Sequence, residues 1–389
     1  MLKLLHTADW QIGRSYSRFE AEDAAALAAA RIDGVKRIAQ IATEHEVDAV
    51  LVAGDAFDSQ TPRDKTVVRL FEALAGYDGP WLMLPGNHDA ALPESVWEFA
   101  KRMDGVVPAN CTLCLQPTPV EVTGRNGTHF VVLPAPLTQR HTHTDLTDWF
   151  DKAQTAVGVH RIGLAHGSVE GILAEDVDSA NPIAADRAER ARLDYLALGD
   201  WHGTRQVNPR TWYSGTHEPE RFRGNDPGNC LIVEISAPGA PAVVTPVPCG
   251  RYRWVQLQLQ VRSPIEAMEA VRQLEAVDAS TVADVTLFGT CDLADQERLE
   301  AAVRAASVRA AALSVQMRDL QLQPSEEELQ GLHADGFVGA VLQELKAQLA
   351  GSEPELARDA LLALARIQND IKPAREAAKG EMAKQGVTA

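Results

Sequence analysis

No apolar run in this sequence approaches the roughly 18 residues that a membrane-spanning helix needs, so no spanning helix is expected. No apolar signal-peptide core opens the chain either, because Lys3, His6 and Asp9 interrupt it. Cysteine is scarce and odd in number, with five scattered at 111, 114, 230, 249 and 291. That excludes a disulfide framework and suits free thiols in a reducing cytoplasm. Basic charge is short as well: 37 Lys and Arg against 54 Asp and Glu leave a formal charge of -17. A surface of that sign repels phosphates and weighs against the chain gripping nucleic acid unaided. Metal ions or a basic partner would have to reverse it locally. Low-complexity tracts and solenoid repeats are missing too. What is present, 389 residues at 45% apolar, suits a globular chain of two or three domains with a sizeable core.

The patterning alternates strands with helices. Short apolar runs at 2–8, 48–53, 81–84, 129–134, 160–165 and 195–199 read as buried strands. Ala21 to Glu44, with Leu27, Ile32, Val35, Ile38 and Ile41 near helical spacing, and Lys65 to Leu74 read as helices. This order predicts an α/β fold with covered sheets. Between about 204 and 248 short segments separated by Gly and Pro read as closing strands of the same domain. A second unit starts near Arg251. It reads as a strand at 255–261, a helix at 265–277, a strand at 283–288, a helix at 295–306 and a strand at 313–320, a compact α+β module. Beyond Gln323, Ser325 with Glu328 and Ser352 with Glu355 make capping boxes. They precede two amphipathic stripes, Phe337 to Leu349 and Leu356 to Ile367. Three regions follow: 1–250, 251–323 and 324–389.

Polar residues gather where the strands stop. Asp9, Asp55, Asn87, His88, His166 and Asp200 each fall just past a predicted strand. In open α/β sheets the crevice outside those strand ends is where sites form. Asp, Asn and Gly also end strands as ordinary turn residues, which would explain any one of these singly. Carboxylate, imidazole and amide donors without thiolate suit Mn²⁺, Fe²⁺, Zn²⁺ or Mg²⁺. A central carboxylate such as Asp55 could bridge two ions about 3.5–4 Å apart, the arrangement that clamps a phosphate and activates water. His88 sits next to Asn87, so the two cannot point the same way with equal ease: one could ligate while the other faces substrate and donates a proton.

D-W-Q (9–11), G-D-A-F-D (54–58), G-N-H-D (86–89), A-H-G (165–167) and G-D-W-H (199–202) together resemble the ordered motifs of calcineurin-like metallophosphoesterases. The H-T-A-D-W opening, G-D-A-F-D and Y-S-G-T-H-E-P-E (213–220) resemble the SbcD-type DNA repair exonuclease branch. The resemblance implies a four-layer α/β/β/α sandwich, with 251–323 as a capping domain and C-terminal helices after it. It implies two divalent ions. Asp9, Asp55 and His202 would hold the first, and Asp55, Asn87, His166 and Asp200 the second. His88 would be the histidine that assists the leaving group.

Two positions depart from that pattern. Gln11 stands where the family has the histidine of D-x-H, and Asp200 where it has the first histidine of G-H-x-H. Gln11 offers only a neutral amide oxygen, so the first ion should be held weakly. Asp200 makes the second site richer in oxygen, which favours Mn²⁺, or Mg²⁺, over Zn²⁺. Asp58 and Asp89 either orient ligands or cap turns. His217 either joins the site or packs beside it. Arg14, Arg18, Arg63, Arg221 and Arg223 are candidates for phosphate contacts, or plain surface arginines. Cys111-x-x-Cys114 reads as buried thiols, and His141 with His143 as a solvated loop.

The resemblance implies a cytoplasmic DNA exonuclease, with or without endonuclease action. Its partners would be a second copy of the chain and an SbcC-type coiled-coil ATPase docked on the C-terminal helices. The other readings are a small-nucleotide phosphodiesterase and a weakly catalytic protein that binds DNA ends or the ATPase.

Overall fold

The apolar runs become parallel strands buried on both faces in the computed structural model. It describes residues 1–171, 181–222, 224–323, 336–351, 354–357, 359–364 and 367. Strands β1 (Leu2–Thr7), β2 (Ala49–Ala53), β3 (Trp81–Leu84) and β4 (Cys111–Leu113) run parallel. β13 (Asn229–Ile235) and β14 (Val243–Pro248) extend the sheet antiparallel beyond β1, giving the order β14-β13-β1-β2-β3-β4. A second sheet is built around parallel β6 (His129–Ala135), β7 (His160–His166), β10 (Tyr195–Gly199) and β12 (Thr211–Tyr213). β5 (Val120–Thr123) and β11 (Arg205–Asn208) close its edges antiparallel.

Alternation along the strands sorts their side chains into layers. Leu5, Val50, Val52, Trp81 and Met83 face a helical layer through Val35 and Ile38 of α1 (Ala21–Glu44), Val67 and Leu70 of α2 (Asp64–Ala73), and Trp97 of α3 (Val96–Arg102). Leu4, Ala49, Leu51 and Leu82 point the other way. They meet Val132, Ile162, Leu164, Tyr195 and Ala197 of the second sheet. The far face of that sheet, with Val131, Leu133, Ala165, Leu196 and Leu198, is covered by Phe150, by Val169 and Ile183 of the paired short strands β8 (Ser168–Val169) and β9 (Pro182–Ile183), by Ala188 of α4 (Arg187–Arg190) and by Leu193. The order is helices, sheet, sheet, outer cover: the expected α/β/β/α sandwich. Each fully buried Leu, Val or Phe contributes roughly 1.5–3 kcal/mol.

The segments at 204–248 do close this sandwich, but they divide between the sheets: β11 and β12 join one, β13 and β14 the other. Among the described residues, the chain forms one unit from Met1–Val255 with Ser280–Val282, and a second from Gln256–Ala279 with Ala283–Ala389. The α+β module consists of β15 (Arg253–Val261), α5 (Pro264–Glu275), β16 (Thr281–Cys291), α6 (Leu293–Arg309) and β17 (Ala312–Leu322), with sheet order β15-β16-β17. Ser263 and Asp292 cap α5 and α6 by accepting from Glu266 N and Asp295 N, and Pro264 opens α5. Helix α7 (Gly336–Gln348) carries the first C-terminal stripe. Its Leu342 packs with Leu361, and Leu345, Leu349 and Leu364 join them. The Ser325–Glu328 box, Ser352 of the second box and Arg223 lie outside the described residues. Among the described residues no helix is long and apolar enough to cross a membrane.

Candidate metal centre

Five strand ends deliver the site. Asp9 follows β1, Asp55 follows β2, the 86–89 loop follows β3, His166 ends β7 and Asp200 follows β10. At Asp9, Gln11, Asp55 and Asp200 the backbone has positive φ, 53°, 43°, 54° and 99°. That conformation costs a non-glycine residue roughly 1–3 kcal/mol and is common where function fixes the chain. The loops are laced together. Asp9 N donates to Gly54 O at 3.1 Å, and Gln11 N to Asp55 O at 2.8 Å. Close packing explains the glycines of G-D and G-N-H-D: a Cβ on Gly54 would lie 2.2 Å from His166 Nδ1, and one on Gly86 2.2 Å from Asp55 Oδ1.

Asp9, Asp55 and His166 are buried and offer ligand atoms within 4.8 Å of one another. His166 Nδ1 donates to Ala53 O at 2.9 Å, which aims Nε2 inward. Around Nε2 lie Asn87 Oδ1 at 2.9 Å, Asp55 Oδ1 at 3.6 Å and Asp200 Oδ1 at 3.8 Å. Asp200 N in turn points at both Asp9 carboxylate oxygens, at 3.2 and 3.3 Å, and Ser168 Oγ donates to Asp200 Oδ2 at 2.9 Å. Burial pushes the Asp9 carboxyl up to about 6; His202 and His166 oppose this, while Asp55 and Asp200 add to it. Burial works against a proton on His166, yet Asp55, Asp9 and Asp200 outweigh it and raise its pKa to about 9. Clustered carboxylates around an inward imidazole form a donor set that fits a divalent cation.

The other candidates fall around this group. His88 N donates to Asp55 Oδ1 at 2.9 Å. His88 Nδ1 meets Asp58 O at 2.9 Å, and since a carbonyl only accepts, that nitrogen carries the hydrogen and Nε2 is left to the cleft. Asp89 accepts from Phe57 N at 3.0 Å and Gly86 N at 2.7 Å, tying the G-N-H-D loop to the G-D-A-F-D loop. Burial and Asp55 push its carboxyl up to about 7, against those two hydrogen bonds. His202 Nδ1 donates to Glu220 Oε1 at 2.7 Å. Burial opposes the His202 proton, but Glu220 and Asp9 raise its pKa overall. Burial pushes Glu220 up, while His202, Arg31 and Arg14 hold it at about 2. Arg221 Nε pairs with Glu220 Oε1 at 2.8 Å. Gln11 has its oxygen on Arg14 Nη1 at 2.6 Å and its Nε2 3.5 Å from His202 Nε2.

Asp55, Asn87, His88, Asp200, His202 and Arg221 line one open cleft of about 250 Å³, together with Trp201, Thr216, Glu220, Asn225 and Pro227. His217 is not brought into that lining. It is buried against α1, its Nε2 donating to Arg31 O at 2.8 Å, and burial with nearby Arg31 drives its pKa down to about 3. Arg63, His141 and His143 are exposed, and Cys111 and Cys114 are free thiols pushed up to about 12 by burial. Two supporting residues are not legible in the sequence. Glu220 is visible there only as the last letter of Y-S-G-T-H-E-P-E. Arg31 sits inside the α1 pattern with no motif to signal it. Fully buried, it donates to Asp9 O, Trp10 O, Tyr16 OH, Thr216 Oγ1 and Glu218 O.

The sequence profile of the calcineurin-like phosphoesterases matches residues 2–228, more than half of the chain. The chain is 40% identical over 106 residues to the SbcD component of nuclease SbcCD from Rhodobacter capsulatus, 24% of each chain. Over 101 residues it is 40% identical to the Escherichia coli K12 protein of that name, 24% of this chain and 23% of the other. It is 30% identical over 93 residues to DNA double-strand break repair protein Mre11 of Saccharolobus solfataricus, 23% of each. These matches span about a quarter of the length of those relatives. A purple acid phosphatase from yellow lupin superposes with a TM-score of 0.40 at 14% identity, over 64% of this chain and 51% of that one.

Proposed function

Because the chain belongs to the calcineurin-like phosphoesterase family, we propose that it hydrolyses phosphodiester bonds of DNA with divalent metal ions. The observation that carries the proposal is the buried Asp9, Asp55 and His166 group beneath an open cleft that His88 also lines. The relatives named for a nuclease and for double-strand break repair support DNA as the substrate. In this reading Asp55, Asn87, His166 and Asp200 hold one ion, and Asp9, Asp55 and His202, with Gln11, serve the other. The oxygen-rich donors favour Mn²⁺, with Mg²⁺ next. Bound ions would supply Lewis-acid polarisation of the phosphoryl group and an activated water.

The protein's own residues do the rest. His166 and His202 keep fixed tautomers through Ala53 O and Glu220. Asp89 and Asp58 hold the loops that carry Asn87 and His88. His88, oriented by Asp58 O, offers Nε2 to the leaving oxygen and, when doubly protonated, hands it a proton. Arg221, at the cleft and partly exposed, is placed to meet a neighbouring phosphate.

The same reading treats 1–250 as the nuclease domain, 251–323 as a cap and 324–389 as the segment that docks an SbcC-type coiled-coil ATPase. It sets a homodimer in the cytoplasm, where the five free cysteines stay reduced. The test is Mn²⁺-dependent cleavage of end-labelled duplex DNA. Wild type should cut, while Asp55→Ala and His88→Ala should each lose at least about 100-fold. His88→Ala should still bind metal. Cleavage of a chromogenic phosphodiester but not of DNA, alone or with the ATPase, would sink the DNA assignment.

A further inference from the structure

Beside the carboxylate-rich half of the cleft, four side chains close a ring. Arg14 Nη1 donates to Gln11 Oε1 at 2.6 Å. Gln11 Nε2 lies 3.5 Å from His202 Nε2. His202 Nδ1 donates to Glu220 Oε1 at 2.7 Å, and Arg14 Nε pairs with Glu220 Oε2 at 2.9 Å. Donor chemistry fixes each direction. A guanidinium has only N–H donors, so the amide atom facing Arg14 must be the oxygen. The amide nitrogen, which has no lone pair to give a metal, is therefore the end turned to His202. A carboxylate only accepts, so His202 carries its hydrogen on Nδ1 and shows the Nε2 lone pair to the Gln11 N–H.

We propose that the two cation positions are unequal: the ion at Asp55 and His166, which the Asp9 carboxylate also reaches, is the first and tightly held one, while the Arg14–Gln11–His202–Glu220 ring occupies the second position, at His202. This rests on the metal-dependent reading above. The first group needs no rearrangement, since its three ligand atoms already lie within 4.8 Å of each other. The second position is closed. Its imidazole nitrogen faces an N–H and its amide oxygen faces a cation. An entering ion would have to break the Arg14–Gln11 hydrogen bond, turn the amide and sit near a guanidinium. Arg14 does not line the cleft, so it acts through Gln11 and Glu220 as a positioning residue. The positive charge of Arg14 replaces, in part, what a second ion would bring to Glu220 and Asp58, whose Oδ1 lies 3.4 Å from Arg14 Nη1.

The experiment counts ions. The full chain is stripped with chelator, loaded with Mn²⁺ and dialysed. Retained metal is measured by elemental analysis, binding by calorimetry, and spin coupling by electron paramagnetic resonance. Wild type should retain one ion per chain and bind a second at least tenfold more weakly, without a coupled-pair signal after dialysis. Gln11→His supplies an imidazole at the second position and should retain two coupled ions. Arg14→Met leaves Gln11 in place but frees its oxygen. It should tighten the second ion at least tenfold and leave the first unchanged, whereas a misfolded variant would lose both. Two tightly held ions in the wild type, or no change of the second affinity in Arg14→Met, would overturn the inference and leave the phosphoesterase reading intact. A wild type that binds no Mn²⁺ and shows no Mn²⁺-dependent hydrolysis would overturn both.

Discussion

Asp9, Gln11, Asp55 and Asp200 are four of the eight non-glycine residues with positive φ among the described residues. Backbone strain thus concentrates where the candidate ligands sit, and the buried strands on either side outweigh it. Two buried histidines set the acid limit of that arrangement. His6 donates from Nε2 to Leu198 O and accepts from Tyr195 OH, while His217 donates to Arg31 O. Burial lowers both to about 3 from 6.5. Between those values the unfolded chain takes up protons that the folded chain refuses, so stability is full above 6.5 and falls as pH drops toward 3. Each histidine should cost about 2 kcal/mol on going from pH 7.5 to 5. Urea unfolding of His217→Gln at the two pH values should show a smaller loss by that amount. An unchanged loss would mean that His217 titrates normally when folded. At this scale the candidate ligands stood out in the sequence because each sits where an apolar run stops. Glu220 and Arg31 were not: their partners lie 18 and up to 187 residues away in sequence, and only the sheet register brings them together.

Helix α1 does more than cover a sheet. Of its predicted stripe, Leu27, Val35, Ile38 and Ile41 are buried and Ile32 partly so, and Arg31 is buried with them. Arg31 gathers the backbone after β1 and the 216–218 turn around one guanidinium. Arg31→Met should cost at least about 3 kcal/mol, because it strands buried carbonyls and the Tyr16 hydroxyl. Arg31→Lys should recover little, since one ammonium cannot reproduce the fork. Denaturant midpoints for the two variants decide this; a near-wild-type midpoint for Arg31→Met would show that the hub is dispensable. Element identities followed from periodicity. β2 and β3 are buried on both faces and so read as unbroken apolar runs, while β1 is buried apart from the partly exposed Lys3 and carries His6 inside. In the α+β module each predicted element exists with ends shifted by no more than three residues, as at β16, which runs 281–291 rather than 283–288. Strand order was not legible, because no local pattern says that β13 should lie beside β1.

Across the whole molecule the charge of -17 and the acidic cleft act in the same direction. Both repel a polyanion unless divalent ions intervene. Labelled duplex DNA should therefore bind the isolated chain at least about tenfold more weakly after chelation than with Mn²⁺, a difference of about 1.4 kcal/mol. With few basic contacts, the slope of log affinity against log salt should stay below about 3 in magnitude. Fluorescence anisotropy measures both, and tight binding in chelator would show that a basic surface grips DNA without metal.

The partnership of β1 and β13 has a consequence for synthesis. Leu2 pairs with Ile235 and His6 with Leu231, so β1 is flanked on one side by a strand that follows it in the chain by more than 220 residues. At a ribosomal rate of roughly 5–20 residues per second, β1 waits on the order of 10–50 s for its neighbour to emerge. Asp9 and Asp200 arrive on opposite sides of that interval. In a nascent chain the candidate metal centre therefore stays incomplete until Asp200 and His202 have emerged, and under the proposed reading hydrolysis waits with it.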